Sequence, residues 1–334
     1  MEIQNRESPD QNKKLTVIFS AIFLLLLLSE LETAFLVQFY KQNLIVLAAS
    51  TFSPLSGHAW YRAFQNRLLP AGIMSLFHAN NIVNTYKLFI LFFTFICNFL
   101  IYFLFNKLGN KKALVMTFLF SLAFLLFQDR TWLYGWDLIY TAVTVLVLIG
   151  IDSNLPNLYF IFIFIIALFN HESALFIPAW MLITAFPKNK LRLVESIILL
   201  AAGTGIIFFL RSMLFKGSPL ISVGIDQTHK ILGNHFCLFD NFNYLFTYPG
   251  TDNFSSWHYD FIPIVIFITY IFSLRLWKDQ KFRSVLIYSG ILILAVLLFA
   301  NIYETRVWLP IIPALLYLNS KDLFIEKVTP RYLS

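Results

Sequence analysis

Two carboxylates, Glu30 and Glu32, stand two residues apart toward the end of a long apolar run. A carboxylate kept out of bulk water can take a proton from a hydroxyl or ligate a metal. On a regular helix the two point about 200° apart, so one of them at most faces a given cavity. Asn170-His171-Glu172 interrupts two apolar runs without a spacer. There His171 could hold an anionic group and Glu172 could orient it or a sugar hydroxyl, the ordinary alternative being a turn satisfied by its own His–Glu bond. Glu304 and Arg306 open the last apolar run, ahead of Pro310 and Pro313. An arginine there suits a phosphate because its planar fork meets two oxygens at once, while an internal Glu–Arg pair or a snorkelling arginine would explain it equally well. Asp129 and Arg130 lie beside Trp132, Tyr134, Trp136 and Asp137. Aromatic faces stack on sugar rings, but the same residue types form belts at any bilayer surface; Asp137, one turn into an apolar run, fits a belt less well. Arg62 and Arg67, with His58, could grip a lipid headgroup or simply anchor the chain at the interface.

The elements that must position these residues are apolar to an unusual degree. Hydrophobic residues make up 58% of the 334, charged residues only 13%, and mean hydropathy is +0.71, which no water-soluble fold of this length would cover. Unbroken runs without alternation select helices over a barrel. Runs at 15–37, 82–105, 113–127, 132–151, 156–169, 173–186, 193–214, 261–276, 284–302 and 306–319 predict an all-α polytopic membrane protein of about ten transmembrane helices. The runs 113–127 and 156–169 reach only about 22 Å across a core about 30 Å thick, so polar groups at their ends are expected to line a recessed cavity.

No soluble stretch is long enough for a core of its own, so residues 1–334 read as a single transmembrane domain. The net charge of +7 comes in short clusters between apolar runs, among them Lys13-Lys14, Lys111-Lys112 and Lys278 to Arg283, which explains it by topology and not by a nucleic-acid partner. The clusters predict a multi-pass plasma-membrane protein with both termini cytoplasmic and external loops at about 38–81 and 215–260, the first with an interfacial helix across Trp60 to Phe77. The charged constellations then map to the external ends of helices. Cys97 and Cys237 are too few for a disulfide framework. His229, His235, His258 and Asp260 lack metal-ligand spacing, so a divalent metal is not indicated, and no phosphate loop, dinucleotide fingerprint or nucleophile elbow points to a cofactor.

The strings Tyr61-Arg62 to Leu68-Leu69-Pro70, Asn170-His171-Glu172-Ser173-Ala174-Leu175 and Glu304-Thr305-Arg306 with Pro310 resemble the bacterial multi-pass glycosyltransferases of the GT-C fold. The resemblance implies a polyprenyl-phosphate-linked sugar as donor and an acidic base in the first external loop, a role that falls here on Glu30 or Glu32, although both lie within the apolar run. It implies direct displacement at the anomeric carbon, with Arg306, Arg130 or His171 holding the departing phosphate. A lipid-linked glycan flippase or transporter, or an O-antigen-type polymerase, would use the same topology and lipid-linked substrates. Transport is disfavoured by the lack of internal repeats and of charge at both faces.

Overall fold

The computed structural model describes residues 9–56, 67–77, 81–128, 133–187, 189–214, 238–239, 241, 257–300, 302 and 304–324. Among them every regular element is helical: α1 Pro9–Phe39, α2 Leu44–Ser56, α3 Leu68–Leu76, α4 Ile82–Phe105, α5 Asn110–Leu126, α6 Gly135–Asp152, α7 Asn157–Leu168, α8 Phe176–Ala185, α9 Lys190–Leu214, α10 Trp257–Ser273, α11 Gln280–Phe299 and α12 Ile312–Phe324. Short 3₁₀ turns at Glu172–Leu175 and Thr305–Ile311 lead into α8 and α12.

All ten apolar runs are helical where described, but among the described residues six helices are long and apolar enough to cross a membrane: α1, α4, α6, α9, α10 and α11. The other four, α5, α7, α8 and α12, have 17, 12, 10 and 13 residues, and of these α7 and, with its leading 3₁₀ turn, α8 are apolar but too short. The segment expected as one external loop at 38–81 contains α2 and α3, and α3 turns Pro70, Ala71 and Met74 inward.

Exposure separates centre from periphery. In α6, 83% of the span is buried, against 17% in α9 and α10 and 22% in α1, whose outer faces carry Phe19, Phe23 and Leu31. In a hydrocarbon solvent such surfaces would gain nothing by being buried, and close packing and interhelical hydrogen bonds would have to hold the bundle. Two glycines of α6 allow that packing. A Cβ on Gly135 would lie 2.7 Å from the Phe89 ring and from Thr51 Cγ2, and one on Gly150 would lie 2.6 Å from the Tyr159 ring. Cys97 is buried against α6.

Cross-links give the bundle two distinct ends. At one, the Asp152 carboxylate pairs with Lys107 Nζ and accepts from Tyr317 Oη at 2.5 Å, while Lys281 Nζ donates to the Asp152 carbonyl at 2.7 Å, tying α4, α6, α11 and α12 together. Asn157 Nδ2 donates to Glu195 at 2.8 Å near the starts of α7 and α9. The other end gathers the start of α6, the α7–α8 hairpin, the residue before α3 and the turn before α12.

Candidate functional site

Asp137 sits in the first turn of α6 and accepts the backbone N–H of Tyr134 at 3.2 Å, satisfying a donor that the helix start would leave open. The same oxygen, Oδ2, accepts from Arg306 Nη1 at 3.3 Å, and Arg306 Nη2 donates to Glu304 Oε2 at 2.6 Å. One guanidinium thus serves two carboxylates, one from α6 and one from the turn before α12.

A second guanidinium lies on the far side of an aromatic pair. Tyr134 and Trp136 stack with centroids 4.3 Å apart and planes 16° from parallel. Arg306 Cζ lies 4.8 Å from the Tyr134 centroid, and Arg67 Cζ lies 4.6 Å from that of Trp136. Each ring's inner face is taken by the other ring, so the order is Arg306, Tyr134, Trp136, Arg67, a layered arrangement that orients both planar forks at low entropic cost. Burial pulls the Arg67 guanidinium below its ordinary value, with the Glu172 and Asp137 carboxylates working against that.

Arg67 Nη2 donates to Glu172 Oε2 at 3.3 Å, which brings in the α7–α8 hairpin. That hairpin is held in place by backbone contacts: Asn170 Nδ2 donates to the Trp136 carbonyl at 3.0 Å, and the Leu69 N–H donates to the Phe169 carbonyl at 2.9 Å. His171 stacks on Tyr140 with centroids 5.5 Å apart, its Nδ1 accepts the Ser173 backbone N–H at 3.1 Å, and Ser173 Oγ lies 2.7 Å from the same nitrogen. Glu172 Oε2 is 3.5 Å from Nδ1. Side-chain exposures of 25%, 28% and 27% leave Glu172, His171 and Glu304 within reach of a ligand, whereas Arg306 and Asp137 are at 14%.

Beside the cluster runs an apolar groove of about 360 Å³ between α3 and α7, lined by Leu68, Leu69, Gly72, Ile73, Ile165, Ile166 and Phe169. Its wall begins one residue after Arg67 and ends one residue before Asn170.

Six of the candidates read from sequence come together here: Arg67, Asp137, His171, Glu172, Glu304 and Arg306. Arg62, Asp129 and Arg130 lie outside the described residues, as do His58 and Trp132. Glu30 and Glu32 do not join the cluster. Glu30 is exposed on the outer face of α1. Glu32, 1% exposed, points the other way, and its Oε2 accepts from Asn98 Nδ2 at 2.8 Å. Asn98 also donates to Ser29 Oγ at 3.0 Å and accepts from Ser121 Oγ at 3.1 Å, so Glu32 belongs to a buried polar knot joining α1, α4 and α5. The divergence follows from the spacing of two along a continuous helix.

Sequence reasoning missed Asn98, Tyr140 and Ser173 as partners, and left Trp136 open between a sugar-stacking face and an interface belt. A polar amide amid the phenylalanines of α4 was a readable signal for Asn98; the stacking roles of Trp136 and Tyr140 had none. Among the described residues no three His, Cys, Asp or Glu side chains are grouped so as to hold a metal. Chemically the cluster offers two oriented guanidiniums, an imidazole, three carboxylates and stacked rings beside an apolar groove. No family model, curated protein or solved structure matches the chain.

Proposed function

We propose that this chain is a membrane glycosyltransferase that moves a sugar from a polyprenyl-phosphate-linked donor to an acceptor at the membrane face opposite the Lys107–Asp152 end. The observation that carries the reading is the convergence of Arg67, Asp137, His171, Glu172, Glu304 and Arg306, from four separated stretches of chain, beside an apolar groove. The groove takes part of the isoprenoid chain, a guanidinium meets the phosphate, and Tyr134, Trp136 and Tyr140 offer faces and edges to the sugar. Ion pairing within the cluster keeps the arginines oriented until a phosphate replaces a carboxylate partner.

The reading includes a topology. The bundle enters and leaves the bilayer about ten times, with the short helices α7 and α8 stopping at the depth of the cluster and both termini cytoplasmic. The basic residues Lys107, Lys111, Lys112, Lys190, Lys278 and Lys281 sit at the end opposite the cluster, as the positive-inside rule requires of a plasma-membrane protein.

The test is donor turnover by the full chain in proteoliposomes, measured as undecaprenyl phosphate released from undecaprenyl-phosphate-linked hexose, aminohexose and pentose donors with a crude lipid extract as acceptor. Release that depends on the protein and falls at least tenfold in Arg306→Gln supports the reading. No release from any of the donors contradicts it.

A further inference from the structure

Arg67, Arg306 and Arg192 each lie over an aromatic ring, and they differ in what their forks hold. Arg67 meets Glu172, and Arg306 meets Asp137 and Glu304. Arg192 stands in the first turn of α9, at the Lys107–Asp152 end of the bundle. Its guanidinium has no hydrogen-bond acceptor among the described residues, and its Nε is closed off from solvent.

The guanidinium is nevertheless held in place. Arg192 Cζ lies 5.0 Å from the centroid of the Trp180 ring. Trp180 is 2% exposed, and its Nε1 donates to the Ser284 carbonyl at 3.0 Å, which locks the indole between α8 and α11 and orients the planar fork stacked on it. A partly buried, oriented guanidinium without an acceptor is costly unless an anion meets it.

The surroundings favour such an anion. Lys190, exposed, opens α9, and Arg283 directly precedes the serine that holds Trp180. Asn189 Oδ1 accepts the Arg192 backbone N–H at 3.0 Å, and the positive end of the α9 dipole adds to the field of the side chains. Glu195, the carboxylate nearest in sequence, accepts from Asn157 Nδ2 at 2.8 Å and forms no ion pair with Arg192. Alongside, Leu191, Val194 and Ile198 present exposed apolar side chains along one face of α9.

We infer that Arg192, stacked on Trp180 and flanked by Lys190 and Arg283, is a headgroup site for an anionic phospholipid of the leaflet opposite the Arg67–Arg306 cluster. The phosphodiester offers two oxygens that the fork meets with parallel N–H bonds, and the acyl chains lie along Leu191, Val194 and Ile198. A zwitterionic headgroup gains less, because Lys190 and Arg283 oppose its cationic end. The inference does not rest on the glycosyl-transfer reading and stands or falls separately from it.

The experiment is native mass spectrometry of the full chain released from detergent, titrated with dioleoylphosphatidylglycerol, dioleoylphosphatidylcholine and inorganic phosphate. The wild type is expected to take up the anionic lipid saturably and about fivefold or more tighter than the zwitterionic one. Arg192→Gln is expected to weaken uptake of the anionic lipid about tenfold, and Arg192→Lys, which keeps the charge and loses the fork, about threefold. Lys111→Gln removes an exposed charge from α5 at the same end of the bundle and is expected to stay within about twofold of the wild type. Thermal transitions in the same detergent check the fold of each variant; where Arg192→Gln does not fold, Arg192→Lys decides, and uptake by it equal to the wild type overturns the inference. So do equal uptake of the two lipids, a folded Arg192→Gln within about twofold of the wild type, a loss in Lys111→Gln as large as that in Arg192→Gln, or displacement of the lipid by equimolar inorganic phosphate.

Discussion

Replacing Asn98 by leucine, which nearly conserves volume, removes three side-chain hydrogen bonds from the interior: those to Glu32 at 2.8 Å, to Ser29 at 3.0 Å and from Ser121 at 3.1 Å. Interhelical hydrogen bonds within a bilayer average about 0.6 kcal/mol and reach about 1.7, so three amount to about 2 kcal/mol with a ceiling of about 5. Glu32 and Ser121 lose their Asn98 partner as well, which moves the value toward the ceiling. Glu32→Gln keeps an oxygen that can accept from Asn98 Nδ2 and is expected to cost less, while leaving donor turnover within about threefold of wild type. The stability arm is equilibrium unfolding by sodium dodecyl sulfate in bicelles, and the activity arm is undecaprenyl phosphate release. An Asn98→Leu protein within about 0.5 kcal/mol of wild type would show that the knot does not hold α1 to α4 and α5. Abolished turnover in a folded Glu32→Gln protein would show that the base lies there after all.

Other perturbations report on other parts of the bundle. Asp152→Asn is expected to cost about 1–2 kcal/mol by weakening the contacts from Tyr317 and Lys107; Lys107→Ala should cost less than about 1 because that lysine is half exposed, and the same unfolding titration reads both. Gly135→Ala should cost about 1–3 kcal/mol, since its Cβ meets Phe89 and Thr51 at 2.7 Å, whereas Gly205→Ala, with open space around it, should be neutral or slightly stabilising. Gly72→Phe should fold normally, there being nothing within 4 Å of its Cβ, but raise the donor KM several-fold by filling the groove.

The fold was largely legible because hydrocarbon is a demanding solvent: each apolar run that the sequence offers as a span is a helix. Length divided them, and the short runs 113–127 and 156–169, which are α5 and α7, were recognisable as such because counting residues is enough to measure a helix. In the 38–81 segment α3, Leu68–Leu76, falls within the helix expected across Trp60 to Phe77, whereas α2, Leu44–Ser56, was read as loop. In the site, Glu172, His171, Glu304 and Arg306 were visible as ions interrupting apolar runs. Arg67 and Asp137 were visible for the same reason, but their shared aromatic platform was not, because Tyr134 and Trp136 are composed like any interface belt and only their 4.3 Å stacking distinguishes them. Glu30 and Glu32 show the limit of composition: the resemblance favoured them as bases, and the helical phase of α1 sends one to the outer surface and the other to Asn98.

The most direct measurement is equilibrium binding of undecaprenyl phosphate to the full chain in nanodiscs, compared with undecaprenol, which has the same chain and no phosphate. Saturable binding of the phosphate, at least tenfold tighter than the alcohol and weakened at least tenfold in Arg67→Gln or Arg306→Gln, is the expected result. Equal binding of phosphate and alcohol, or binding indifferent to both arginines, would contradict a site built to hold a lipid phosphate.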